Sequence, residues 1–231
     1  MENLIFFSGP QGGGKTTLVN LLSGPGIIVP KLKTRTISMD SEPNIRLALK
    51  ICQRALENFE YMQIAQAHPN EIVLGNRCIY DQESFNEVYV RRGWLSQKEQ
   101  KKYDSMARMF YHPKLQKPKA IVLNPGFDVV WRHLEKRWLT EDKKWRENDK
   151  DYIKIACDVY EKFREAEDIL YINREICLDS SRDTDTIRSW LEEKTGISVV
   201  QNLISEDQPT RMAQVKKYCK TIETCSCNAK E

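Results

Sequence analysis

Residues Gly9-Pro10-Gln11-Gly12-Gly13-Gly14-Lys15-Thr16, with Thr17 behind them, have the types and spacing that grip a triphosphate. The glycines let the backbone curl until successive N–H groups point inward. Lys15 brings a full positive charge for β- and γ-phosphates, and the Thr16 hydroxyl suits a magnesium ion. The start of a helix adds partial positive charge at the same spot. The pattern is the Gly-x-x-x-x-Gly-Lys-Thr (Walker A) loop, and it predicts ATP bound by residues 9–17 with Mg2+ at Thr16.

Such a loop works only between a buried strand and a helix, and both flanks comply. Residues 4–7 are apolar like a buried strand, and residues 15–23 repeat apolar positions at helical spacing. Further strands are expected over 27–29, 72–74 and 120–123, with a fifth over 169–172 or 176–178. Helices are expected over 44–66, 82–93, 96–111, 128–138, 149–167 and 184–194, with Ser96 and Glu99 fitting a capping box. In the 44–66 helix Ile45, Leu47, Leu49, Ile51, Leu56, Phe59, Met62 and Ile64 recur at near-helical spacing. Strand and helix alternate, which predicts an α/β fold: three α/β/α layers around a central parallel sheet of five strands. Ligands are then expected at the carboxyl ends of the strands.

A chain of 231 residues suits one sizeable domain, expected over 1–204, with a C-terminal helix or tail over 205–231. A formal net charge of +3 fits a binder of small polyanions and argues against a nucleic-acid-coating surface. The N-terminus has no basic start and no long apolar run, and no stretch reaches membrane-spanning length, so the expectation is a cytoplasmic protein. The seven cysteines are odd in number and scattered, as for free thiols in a reducing compartment.

The loop alone does not separate kinase from GTPase or motor ATPase. An Asn-Lys-x-Asp segment for guanine is missing, as is an apolar run ending in Asp-Glu. Four local segments instead make residues 1–195 similar to the deoxynucleoside kinase and thymidylate kinase superfamily. Asn76-Arg77-Cys78-Ile79-Tyr80-Asp81 follows a strand like that superfamily's Asp-Arg or Glu-Arg-Ser segment. Lys33-Thr34-Arg35 resembles the Thr-Arg segment of thymidylate kinases. Glu135-Lys136-Arg137 and the charged stretch after it resemble the basic lid, here about 137–150. Cys177 to Thr184 resembles the last strand and the loop near adenine.

The resemblance implies a three-layer P-loop kinase that moves a phosphoryl group from ATP, with magnesium, to a small nucleoside or nucleotide. A deoxynucleoside monophosphate such as dTMP, or a deoxynucleoside, is the expected acceptor. Lys15, Arg77 and Arg137 are the catalytic candidates; Arg182 would lie near the adenine; Arg35, Gln53, Arg77 and Asp81 would bind the acceptor. Charge neutralisation is what phosphoryl transfer demands, since like charges about 4 Å apart repel by about 1 kcal/mol in water and several-fold more in a partly dry site. A homodimer is implied by analogy only.

Two departures stand out. Asn76 replaces a carboxylate that helps organise the metal's waters, a place Asp81 is available to take. No carboxylate follows the 27–29 strand to accept a hydroxyl proton, although Asp40 and Glu42 lie close in sequence. A phosphate acceptor needs no such base, which tilts the expectation toward a monophosphate. The competing classes are a kinase acting on nucleic acid and a regulatory P-loop ATPase without a small acceptor.

Overall fold

Strand β1, Leu4–Ser8, is buried at every position. A strand covered on both faces reads as one continuous apolar run, as Leu-Ile-Phe-Phe does. The structure, a computed structural model, describes residues 2–32, 36–175 and 181–199. In it β1 lies between β3 (Ile72–Asn76) and β4 (Lys119–Leu123), with β2 (Ile27–Ile28) and β5 (Ile169–Ile172) outside them. Every pairing is parallel, and the order is β2-β3-β1-β4-β5. The three-layer expectation with a five-stranded parallel sheet holds.

Seven α-helices accompany the sheet among the described residues: α1 Lys15–Leu22, α2 Pro43–Ala67, α3 Ile79–Arg91, α4 Gln97–Phe110, α5 Phe127–Arg137, α6 Lys150–Tyr160 and α7 Ser181–Thr195. Alternate residues of β1 feed opposite layers. Ile5 and Phe7 join Leu18 and Leu22 of α1 and Ile187 and Leu191 of α7. Leu4 and Phe6 join Tyr61 and Met62 of α2 and Tyr160 of α6. A third cluster, with Phe85, Tyr89, Trp145 and Tyr152, joins α3 to α6. No helix among the described residues is long and apolar enough to cross a membrane.

Several expected boundaries shift for identifiable reasons. Helix α3 begins at Ile79, not at 82, because Asp81 Oδ2 accepts the Cys78 N–H at 2.9 Å and closes its first turn. Helix α6 ends at Tyr160; a 3-10 turn over Glu161–Phe163 then swings the chain into β5, so the expected helix to 167 is too long. Of the two candidates for β5, residues 169–172 form it, and 176–178 lie outside the described residues. The Ser96–Glu99 capping box is present, with Glu99 N–H donating to Ser96 Oγ and Ser96 N–H to Glu99 Oε2. Helix α2 forms over nearly its expected range, and its apolar residues divide between two environments. Leu47, Ile51 and Met62 are buried, but Ile45, Leu49, Leu56 and Phe59 are exposed, since one helix face cannot hold both sets.

Chain order reverses across β1: β2 and β3 lie on one side, β4 and β5 on the other. The carboxyl ends of the strands around that reversal form the crevice where α/β sheets bind ligands. Gly75 sets how tightly β3 packs there, because a Cβ added to it would stand 2.6 Å from ring carbons of the fully buried Phe6. Gly75→Ala is expected to lower unfolding free energy by about 1–3 kcal/mol through overpacking, read as a reduced urea midpoint at unchanged slope.

Candidate active site

The phosphate loop folds as its glycines require. Gly9 has φ +128, and an added Cβ there would lie 2.2 Å from the Leu123 carbonyl oxygen, so only glycine lets the loop rest on the end of β4. Lys15 opens α1 and is buried; its Nζ donates to the carbonyls of Gly9 (2.8 Å) and Pro10 (2.6 Å). Burial, followed by the nearby guanidinium of Arg77, pushes its pKa well below the usual lysine range, against the pull of Asp81. Thr16 and Thr17 are exposed on the first turn of α1.

Arg77 enters from the next strand. The register pairs Phe7 with Asn76, so Arg77 leaves β3 level with the start of the loop. Its N–H donates to the Phe7 carbonyl at 2.8 Å, and its backbone takes φ +67, a left-handed conformation uncommon outside glycine. Its Nη1 donates to Gly9 O at 3.2 Å and to Asp81 Oδ1 at 2.7 Å. The Gly9 carbonyl therefore accepts from both Lys15 and Arg77. Burial opposes the Arg77 charge most strongly, and Asp81, Tyr160 and Tyr152 together more than offset it, so its pKa is raised.

Asp81 is completely buried and serves three partners: Arg77, the Tyr160 hydroxyl at 2.7 Å, and the Cys78 N–H at 2.9 Å. Burial alone would raise its pKa, but Arg77, Arg54 and Lys15 together hold it below the ordinary aspartate value. Both oxygens are engaged. Asp81 is thus placed to fix Arg77 from behind, and it does not fit the metal role open to it at the sequence level. Asn76 is exposed at the end of β3. Among the described residues no three His, Cys, Asp or Glu side chains gather as a metal site, and the exposed Thr16 hydroxyl is a hard oxygen donor of the kind magnesium takes.

Helix α2 supplies a feature that sequence reading missed. Arg46, Lys50 and Arg54 recur every fourth residue and so share one face. Arg54 is buried, its guanidinium 5.3 Å from the Phe85 ring centroid, while that of Arg77 lies 5.1 Å from the same ring. Lys50 falls to about 8, through burial first and then the charges of Arg54 and Arg46. Gln53, expected to read the acceptor, is half-buried and engaged along the helix: it accepts from Lys50 at 3.0 Å and donates to Glu57 at 2.7 Å. The four-residue repeat of cations was the available signal, obscured by the apolar residues interleaved with it.

Arg137 ends α5 and pairs with the buried Glu147 and, at 3.9 Å, with Glu141; its charge still reaches Lys15. In the expected lid, Lys144 faces Glu141 at 3.5 Å and Lys143 lies 4.9 Å over the Trp138 ring. Trp138 in turn meets Trp131 edge to face at 5.3 Å, whereas Trp145 packs with Tyr89, Trp94 and Tyr152. Asp40 and Glu42 are exposed and border a groove of about 350 Å³ with Trp145 and Arg146. Arg35 lies outside the described residues, as does the side chain of Arg182.

Because the folded Asp81 carboxyl sits below its unfolded value, its contribution to stability is complete above about pH 4 and fades as pH falls through the folded value. Asp81→Asn is expected to cost about 3 kcal/mol at pH 7, because it leaves Arg77 buried without its counter-charge. The variant should also show a shallower loss of urea midpoint between pH 4 and 2 than the parent protein.

No protein-family model matches the sequence, and a search of curated proteins finds no match. Among solved structures, a deoxyadenosine kinase from M. mycoides with bound dATP aligns at TM-score 0.56 and 15% identity, over 80% of this chain and 98% of that one. The same kinase with bound dCTP aligns at TM-score 0.49 and 14% identity, over 80% of this chain and 99% of that one. With the parallel sheet and its phosphate loop, the first alignment shows that this chain has the fold of the P-loop nucleoside kinases.

Proposed function

We propose that this protein is an ATP-dependent phosphotransferase whose acceptor is a small nucleotide, foremost a deoxynucleoside monophosphate. One observation carries the reading: Lys15, Arg77 and Arg54 interact around a single buried carboxylate, Asp81, and Lys50 adds its charge beside Arg54 and Arg77. That excess of positive charge calls for more negative charge than one carboxylate provides. A triphosphate on the glycine loop and a phosphate on the acceptor supply it.

Magnesium would enter with ATP, held by the Thr16 hydroxyl and phosphate oxygens, and would neutralise charge on the transferred group. The loop amides and Lys15 hold the donor phosphates. Arg77, aimed by Asp81 and Gly9 O, reaches the group in flight. Arg137, positioned by Glu147, adds a further positive charge near Lys15. A phosphate acceptor arrives already anionic, so the chemistry needs no carboxylate after β2. A second reading, a deoxynucleoside acceptor, is favoured by the aligned kinase, which its name assigns to deoxyadenosine.

The deciding experiment supplies purified protein with magnesium, ATP and a panel of nucleosides, their monophosphates and oligonucleotides, and follows ADP release. We expect release that depends on one class of monophosphate. Nucleoside-only stimulation would select the second reading, polymer-only stimulation a nucleic-acid kinase, and none a regulatory ATPase. Lys15→Ala and Arg77→Ala are each expected to lower kcat by about a hundredfold or more.

Lys50 adds a pH signature. Its charge is lost as pH rises through about 8, so kcat/KM for an anionic acceptor should fall above that pH. Lys50→Met should flatten that limb and raise the acceptor KM at pH 7.

A further inference from the structure

Positive charge is spread unevenly along the chain. Residues 98–117 hold six Lys or Arg against two Asp or Glu, an excess larger than the +3 of the whole chain. Both acids are already engaged. Glu99 closes the capping box at the start of α4, and Asp104 accepts from Asn86 on α3 at 2.6 Å. Arg108 faces Glu83 at 3.7 Å. Lys98, Lys101, Lys102, Lys114 and Lys117 are exposed and have no ion-pair partner among the described residues.

The same helix ends in large apolar side chains that stand in water. Met109 is 73% exposed and Phe110 47%, and Met106, one turn earlier on the same side, is half-buried. Lys101, Lys102, Ser105, Met106 and Met109 line one open groove of about 480 Å³, so ammonium groups and methionine side chains meet on a single surface. A 3-10 turn, Pro113–Leu115, then folds back on the helix end: Leu115 is buried, and Gln116 Nε2 donates to the Arg108 carbonyl at 3.0 Å. Lysines therefore both precede and follow the apolar tip. The turn delivers the chain to Lys119 at the amino end of β4, the opposite end of the sheet from the crevice at the phosphate loop.

Apolar side chains exposed inside a polar rim mark a binding surface. A nucleic acid suits the lysines but sets Met109 and Phe110 against phosphates. An apolar protein partner suits the methionines but leaves the lysines unpaired. A lipid leaflet with anionic headgroups satisfies both, because the headgroups attract ammonium groups while the acyl boundary accepts methionine and phenylalanine. We propose that the carboxyl end of α4, with the turn after it, docks peripherally on a bilayer bearing anionic lipid. Met109 and Phe110 enter the acyl boundary, and Lys101, Lys102 and Lys114 hold the headgroups. Unbranched methionine adapts to surroundings as fluid as these. The crevice at the other end of the sheet stays open to solvent, so docking is independent of the phosphotransferase reading.

Flotation of the full chain with lipid vesicles tests this apart from catalysis. Partition onto phosphatidylcholine vesicles containing about 30% phosphatidylserine should exceed that onto phosphatidylcholine alone by about tenfold or more, and should fall by a similar factor between about 0.1 and about 0.5 M salt. Met109→Ser with Phe110→Ser keeps every charge; Lys101→Glu with Lys102→Glu keeps every apolar group. Each pair should lower partition about tenfold or more at an unchanged urea midpoint, since all four positions are exposed. Equal partition onto the two vesicles, or full binding retained by either double variant, overturns the inference. So does tighter binding of a short oligonucleotide that survives the Met109 and Phe110 substitutions, which would assign the lysines to nucleic acid. A dimer in sedimentation that those two substitutions dissociate would assign the apolar tip to a second copy and equally sink the proposal.

Discussion

One buried carboxylate ties the site together. Asp81 accepts the first-turn N–H of α3, the hydroxyl of Tyr160 on α6, and the guanidinium of Arg77 at the end of β3. Burying an anion is costly unless it is both paired and hydrogen-bonded, and Asp81 meets both conditions. The consequence reaches past stability. Arg77 is an otherwise mobile side chain on a left-handed backbone, and a buried partner leaves it one direction to point, toward the Gly9 carbonyl that also receives Lys15. Preorganised charge of this kind does not reorganise when a reaction starts, which is the main way a protein assists phosphoryl transfer.

The sheet makes that arrangement possible. Reversal of strand order at β1 brings the end of β3 and the end of β4 to either side of the glycine loop. From β3 comes the Arg77 cation; from β4 comes the Leu123 carbonyl, which seats the loop from beneath and admits no Cβ at Gly9. The two contributions differ in kind. One adds charge, and the other removes the conformational freedom that would let the loop collapse away from a phosphate.

What could be read from the sequence follows the same division. The phosphate loop was legible because its chemistry is local: the glycines, Lys15 and Thr16 lie within eight consecutive positions, and the strand and helix around them have their own periodicity. The strand–helix alternation gave the three layers for a similar reason. Arg54 was illegible as a site residue. Gln53 beside it has the more suggestive side chain, and choosing between neighbours on a helix requires knowing its rotation to within about 100°. Helix α2 carries apolar residues on two faces, so near-helical spacing identified the helix without showing that Ile45, Leu49, Leu56 and Phe59 face outward. Asp81 looked like a ligand-facing acid, because nothing in a linear sequence says that Tyr160, 79 positions away, will cover it.

The buried polar groups between α2, α3 and α4 lie at the far end of that scale. Asn58, Gln82 and Asn86 are each oriented by a partner, and which amide atom a partner leaves unused is a property of pairs and not of residues. The donor side is recognised chiefly through backbone N–H groups and one lysine, which tolerate little change in the loop and much change elsewhere. Polar side chains on the helices, by contrast, are each replaceable without disturbing the sheet. A fold shared at 15% identity is therefore compatible with a different acceptor. Resemblance in the sheet and loop speaks to the fold alone, and the choice of acceptor rests with side chains that the fold leaves free to vary.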